Sequence, residues 1–129
     1  MQPESGSPAH WLRHAHSDLA LARAQDRPGV LLEALCFHAQ HAAEKALKAV
    51  RLRRGIEFPR THDIEVLLNL LPADVEMTAD VEEARVLTQY AVVTRYPGTE
   101  EPLTQGEYQD AMRVADAVVH WAERIIGTS

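Results

Sequence analysis

Apolar residues recur at spacings of three and four over four stretches of this chain, and no stretch shows the alternation of a half-buried strand. In the first stretch Trp11, Leu12, Ala15, Leu19 and Ala22 share a face. Ser7-Pro8 reads as an N-cap and first helical position, and Asp26-Arg27-Pro28-Gly29 as the turn that follows a helix ending near Gln25. The second stretch runs from about Val30 to Arg54, with Leu35, Ala39, Ala42, Ala43, Ala46, Leu47 and Val50 on one face and Gly55 placed to close it. At ~1.5 Å per residue such a helix is about 37 Å long, the spine of the molecule. Its apolar face is mostly alanine, which lets a neighbouring helix approach closely. The other face carries His38, His41, Glu44, Lys45 and Lys48, so the pattern predicts a helix packed on one side and read on the other.

Thr61 is placed to cap a short helix from His62 to about Leu70, which Pro72 ends. A further helix from about Thr78 places Val81, Ala84, Leu87 and Ala91 on one face and stops at Arg95-Tyr96-Pro97-Gly98. Thr104-x-x-Glu107 has the form of a capping box, with Leu103 and Tyr108 placed as its hydrophobic staple. The last helix continues to about Ile126, with Tyr108, Ala111, Met112, Ala115, Val119, Ala122 and Ile126 inward. Four long helices on short connections, with one additional short helix, predict an all-α antiparallel up-and-down four-helix bundle. Residues 1–6 are expected to be a disordered N-terminus and residues 7–127 a single domain.

The 129-residue length suits one domain. No apolar run approaches the ~18 residues that cross a bilayer, and MQPESGSPAHW lacks the basic start and apolar core of a signal peptide. The lone Cys36 excludes an internal disulfide and fits a reducing compartment, so a cytoplasmic location with no membrane contact is expected. A net charge of −6 argues against a protein that coats nucleic acid indiscriminately. The basic residues are nevertheless concentrated: Lys45, Lys48, Arg51, Arg53, Arg54 and Arg60 lie within a short span. A basic end on an acidic body can hold a phosphate or an acidic partner surface. Lys45, Lys48 and Arg51 follow one helical stripe. If Arg95 and His62 fold beside them, they form a phosphate-sized cationic pocket; otherwise they are solvated charge at a helix terminus. His38, His41 and Glu44 are spaced along one helix, but a zinc site needs three or four converging ligands, and no metal or cofactor is expected.

Three blocks of the sequence resemble the HEPN domain family: Phe37-His38-Ala39-Gln40-His41-Ala42-Ala43-Glu44-Lys45-Ala46-Leu47-Lys48-Ala49, Thr61-His62-Asp63 followed by Leu67-Leu68, and Arg95-Tyr96-Pro97. Their order and spacing match, and the resemblance covers nearly the whole chain from about Trp11. It implies an up-and-down helical bundle, commonly a homodimer. Small free-standing members of the family are often paired with a minimal nucleotidyltransferase in two-component modules, many of toxin–antitoxin type. The family is associated with binding nucleotides or RNA, and many members are metal-independent ribonucleases.

Those ribonucleases carry an arginine, four to six residues, then a histidine. Arg113 and His120 have six residues between them. Seven positions on a helix return to the same face about 10 Å along the axis. In such a site the histidine would act as general base toward a ribose 2′-hydroxyl, and the arginine would stabilise the developing phosphorane charge. With this many arginines and histidines, a shuffled chain produces such a spacing by chance, so the spacing alone decides nothing. Val114 stands where active members usually carry a polar residue. The tyrosine found two places after the histidine in some paired members is also missing, since Ala122 stands there. Two functions are therefore expected to compete. One is a non-catalytic dimeric module for a nucleotidyltransferase partner and a nucleotide or RNA phosphate; the other is a ribonuclease toxin using Arg113 and His120.

Overall fold

The computed structural model describes residues 6–56, 60–61, 63–87 and 103–127. The described residues form five α-helices and one 3-10 turn, with no strand among them, and the architecture is the all-helical bundle read from the sequence. Helix α1 spans Pro8–Ala22, α2 Leu32–Arg53, α3 Ile64–Asn69, α4 Ala79–Glu83 and α5 Gln105–Gly127. The 3-10 turn Ala84–Leu87 continues directly from α4.

The local signals for the helix ends have a physical counterpart in most places. Ser7 caps α1 by accepting the His10 amide at 3.1 Å, with Pro8 at the start of the helix. Gly55 adopts φ +73°, a left-handed conformation that costs an L side chain energy. Its amide donates to the Leu52 carbonyl, and the Ile56 amide reaches back to the Arg51 carbonyl at 2.9 Å, so α2 ends in a Schellman turn. At α5 the capping box is complete: the Glu107 amide donates to Thr104 Oγ1 at 3.1 Å, and the Thr104 amide donates to Glu107 Oε1 at 2.9 Å.

Two elements depart from the expectation. The cap of α3 is Asp63, whose carboxylate accepts the amides of Glu65 and Val66, so the helix starts at Ile64 and not at His62. Thr61 serves one step earlier, accepting the Asp63 amide at 3.1 Å. A carboxylate with two donors outcompetes a hydroxyl two residues upstream. Thr78 caps α4 as expected, but the regular helix lasts only five residues before it tightens into the 3-10 turn. Ala91 and Arg95 lie outside the described residues.

Helices α1 and α5 run antiparallel: the Tyr108 hydroxyl at the start of α5 donates to the Ala22 carbonyl at the end of α1 at 2.7 Å, and His16, midway along α1, meets Glu123 near the end of α5 at 2.7 Å. Helices α2 and α5 run parallel, with Glu33 reaching the Leu103 amide at one end and Arg54 sharing a groove with Ile125 at the other. This is the arrangement of alternate helices in an up-and-down bundle. The alanine face of α2 is the centre of the core: Ala39, Ala42, Ala43, Ala46 and Ala49 have no solvent exposure, nor do Leu47 and Val50. Helix α5 brings Ala111, Ala115 and Ala122 to the same core. Small side chains on both helices allow their backbones to pack closely. Cys36 is buried among them, and burial, helped by Glu33 and Glu107, pushes its thiol up to about 11.

Two outcomes follow from this packing. Ala43→Leu inserts volume into a seam with no room and should cost about 1–3 kcal/mol, read as a lower denaturant midpoint at unchanged slope. Cys36 in the native protein should resist iodoacetamide at pH 8, where on the order of a thousandth of the thiol is ionised, and should react readily after unfolding. Rapid alkylation of the folded chain would contradict the burial.

Candidate functional site

The first candidate is the basic stripe of α2. Lys45 reaches across to α1, where its Nζ lies 2.6 Å from Asp18 Oδ2. The other oxygen of the same carboxylate faces His38 Nδ1 at 3.2 Å. Asp18 sits on the inward stripe of α1, spaced with Trp11, Ala15 and Ala22, and is itself almost entirely buried. A carboxylate at a core position needs partners, and α2 supplies both. Sequence reading passed over Asp18, although an acid at an apolar spacing was the available signal.

One turn further, Lys48 Nζ lies 2.9 Å from Glu44 Oε2 and 5.6 Å from the centre of the Trp11 ring. Arg51 donates to the Leu70 carbonyl at 2.7 Å, and burial lowers its pKa. Glu44, Lys48 and Arg51 are 3%, 7% and 4% exposed. The expectation of a read face along these positions is thus corrected in one respect: the C-terminal half of α2 is covered on this side too. Trp11 of α1 lies beneath Lys48, and the end of α3 meets Arg51. The three cations of the stripe are directed to internal acceptors. His62 and Arg95, the other expected members of the pocket, lie outside the described residues.

Among the described residues, the exposed cations at and just after the end of α2 are Arg53, Arg54 and Arg60. Arg54 is 2.6 Å from Asp74 across the Schellman turn, and that hydrogen bond holds the Asp74 carboxyl below its usual range. Arg54 and Arg124 also line an open groove of about 420 Å³ floored by Trp121, whose indole N–H donates to the Glu76 carbonyl at 2.9 Å.

The second candidate is Arg113 with His120 on α5. Both are exposed and lie two turns apart along the helix. Arg113 is turned toward α4: one amino group lies 2.9 Å from Asp80, another 2.7 Å from Glu83, and Asp110 stands at 3.9 Å. The Glu83 hydrogen bond and charge, reinforced by Asp80 and Asp110, raise the arginine above its ordinary pKa. His120 Nδ1 is 2.9 Å from the Asp116 carbonyl. A carbonyl can only accept, so Nδ1 carries the proton and Nε2 is left as an acceptor. Asp116 in turn pairs with Arg23 of α1. The neighbourhood of both residues is therefore rich in carboxylates, a setting that favours a cation over a phosphodiester.

Among the described residues, no group of three or more His, Cys, Asp and Glu side chains comes together as a metal site, and no helix is long and apolar enough to cross a membrane.

Comparison with known proteins bears on the family. The family model described as HEPN domain matches residues 9–125. TT1696 from Thermus thermophilus has a similar structure, with a TM-score of 0.79 and 34% identity over 92% of this chain and 97% of that one. ST0689, an archaeal HEPN homologue, is similar with a TM-score of 0.72 and 29% identity over 93% and 98% of the two chains. Among proteins of curated function, none matches. The family match over nearly the whole chain, together with these two structures, shows that the chain belongs to the HEPN domain family.

Proposed function

We propose that the chain is a non-catalytic HEPN module, a homodimer that docks a small nucleotidyltransferase as one half of a two-component system of toxin–antitoxin type. The observation that carries this reading is the state of Arg113. Its guanidinium is held between Asp80 and Glu83 with Asp110 nearby. An arginine that is to stabilise a phosphorane must present its donors to the phosphate. Here two carboxylates occupy them, and their charge repels the substrate. Val114 and the absence of a tyrosine at position 122 point the same way.

A nucleotide or RNA phosphate is the second ligand in this reading, bound at the basic end of α2. Phosphate at Lys45, Lys48 and Arg51 would have to compete with Asp18, Glu44 and the Leu70 carbonyl. Arg53, Arg54 and Arg60 therefore make the first encounter, with His62 and Arg95 the further members of the proposed set.

The competing reading, a metal-independent ribonuclease, has one observation in its favour. The Nδ1 proton of His120 is committed to a backbone carbonyl, which leaves Nε2 as the basic nitrogen that a general base requires. Incubation of the purified protein with defined RNAs in the absence of metal separates the two. The non-catalytic reading expects no cleavage above buffer. Cleavage abolished by both Arg113→Ala and His120→Ala would overturn it and establish the ribonuclease. Affinity capture of the tagged chain from its native cell should recover a small nucleotidyltransferase; capture of the chain alone would contradict the partner assignment.

A further inference from the structure

Helix α1 carries two histidines that neither candidate site uses. His10 and His14 stand one turn apart, at i and i+4, so both project from one face of the helix. Their Nε2 atoms approach to 2.9 Å, with 4.7 Å between the ring centroids. His14 is exposed and His10 half-buried. A groove of about 350 Å³ opens beside the pair, lined by Gly6, His10, Trp11, His14 and Lys45. Among the described residues, no third His, Cys, Asp or Glu joins them. Hydrogen bonding accounts for the contact in the free protein. The Gly6 amide donates to His10 Nδ1 at 2.7 Å, so His10 Nε2 carries the proton and donates to His14 Nε2.

The same separation fits a metal ion. An imidazole nitrogen binds a first-row divalent ion at about 2.0–2.1 Å. Two such bonds at right angles hold their nitrogens about 2.9 Å apart, whereas a tetrahedral ion spreads them to about 3.3 Å. The observed distance therefore matches neighbouring positions of an octahedral or tetragonal centre. Such a centre accepts two protein ligands, because its remaining positions open on the groove and on solvent. The nearby cations do not close the site. Lys45 is answered by Asp18 at 2.6 Å, and Arg13 lies about 100° round the helix from His14. Their charge holds the affinity below that of an enclosed site with acidic ligands.

We propose that His10 and His14 form a chelating site for a divalent transition ion of the Cu²⁺ or Ni²⁺ class, the ion taking the place of the proton that the two rings share. Small rotations of the rings aim both Nε2 lone pairs at the ion. Binding costs one existing hydrogen bond. With the ion on Nε2, the His10 proton moves to Nδ1, where it faces the Gly6 N–H. Two donors cannot bond to each other, so Gly6 releases the ring. The proton stays on the imidazole, and none is lost from the protein. Gly6 stands directly before the Ser7 cap with φ +79°. The site thus couples metal binding to the anchoring of Gly6 at the start of α1. It is independent of the nucleotidyltransferase and phosphate readings above.

Isothermal titration of the full chain tests this, with no histidine tag, EDTA-stripped protein, and CuCl₂ and NiCl₂ as the probes. Circular dichroism verifies that each variant is folded. Cu²⁺ should bind more tightly than Ni²⁺, and MgCl₂ should give no binding heat, since a hard cation takes oxygen ligands. His10→Ala and His14→Ala should each weaken the tightest site at least about tenfold. His16→Ala and His120→Ala, at exposed histidines elsewhere, should leave it unchanged. The paramagnetic resonance spectrum of the Cu²⁺ complex should show two imidazole nitrogens. Gly6→Pro, which has no N–H to lose, should bind the ions more tightly than wild type. Absence of binding, a folded His10→Ala or His14→Ala that binds like wild type, or loss of binding in His16→Ala would overturn the site. Gly6→Pro with unchanged or weaker affinity would overturn the coupling to Gly6.

Discussion

Burial of α2 on nearly every side is the constraint from which the rest of the structure follows. Alanines along one face let α5 run beside it at close range, and α1 packs antiparallel against the next. Once three neighbours surround a helix, the residues that would have faced solvent must also be accommodated. Glu44, Lys48 and Arg51 are the result: charged side chains within the bundle, matched to each other, to an aromatic ring and to a backbone carbonyl. A charge can remain inside a protein only when its desolvation is offset by such partners. The basic stripe is therefore a set of crosslinks between α2 and its neighbours before it is anything else.

The same reasoning applies at α5 with the signs reversed. Arg113 is exposed, yet α4 answers it with acids one turn apart, and Asp116 is answered by Arg23. These exposed pairs contribute little to stability, but they set the local potential. A helix face whose one arginine is enclosed by carboxylates is poorly suited to a polyanion.

The fold was legible because its determinants are local or periodic. The alanine seam of α2 announced itself by spacing, Gly55 by its place after Arg54, and the capping box of α5 by Thr104 and Glu107 three residues apart. Thr61 and Asp63 were harder to rank, since both residue types cap helices and only the three-dimensional turn decides which amides each can reach. The site was less legible for a definite reason. A helical wheel assigns each residue a direction, but it does not say how many neighbours surround the helix, and so Lys48 and Arg51 read as solvent-facing. Asp18 carried a usable signal, an acid in register with Trp11, Ala15 and Ala22. The acids around Arg113 come from α4, some thirty residues away, and no local pattern foretells that pairing.

The central claim is that the charge on α2 is structural, and removing one member of the buried pair tests it most directly. Lys48→Met keeps the length and volume of the side chain while depriving the buried Glu44 carboxylate of the Lys48 charge. Urea unfolding should show a loss of about 3 kcal/mol, the scale for breaking a buried ion pair from one side. A change within about 0.5 kcal/mol, as for an ordinary surface substitution, would contradict the account and return Lys48 to the solvent-facing role that its position in the sequence first implied.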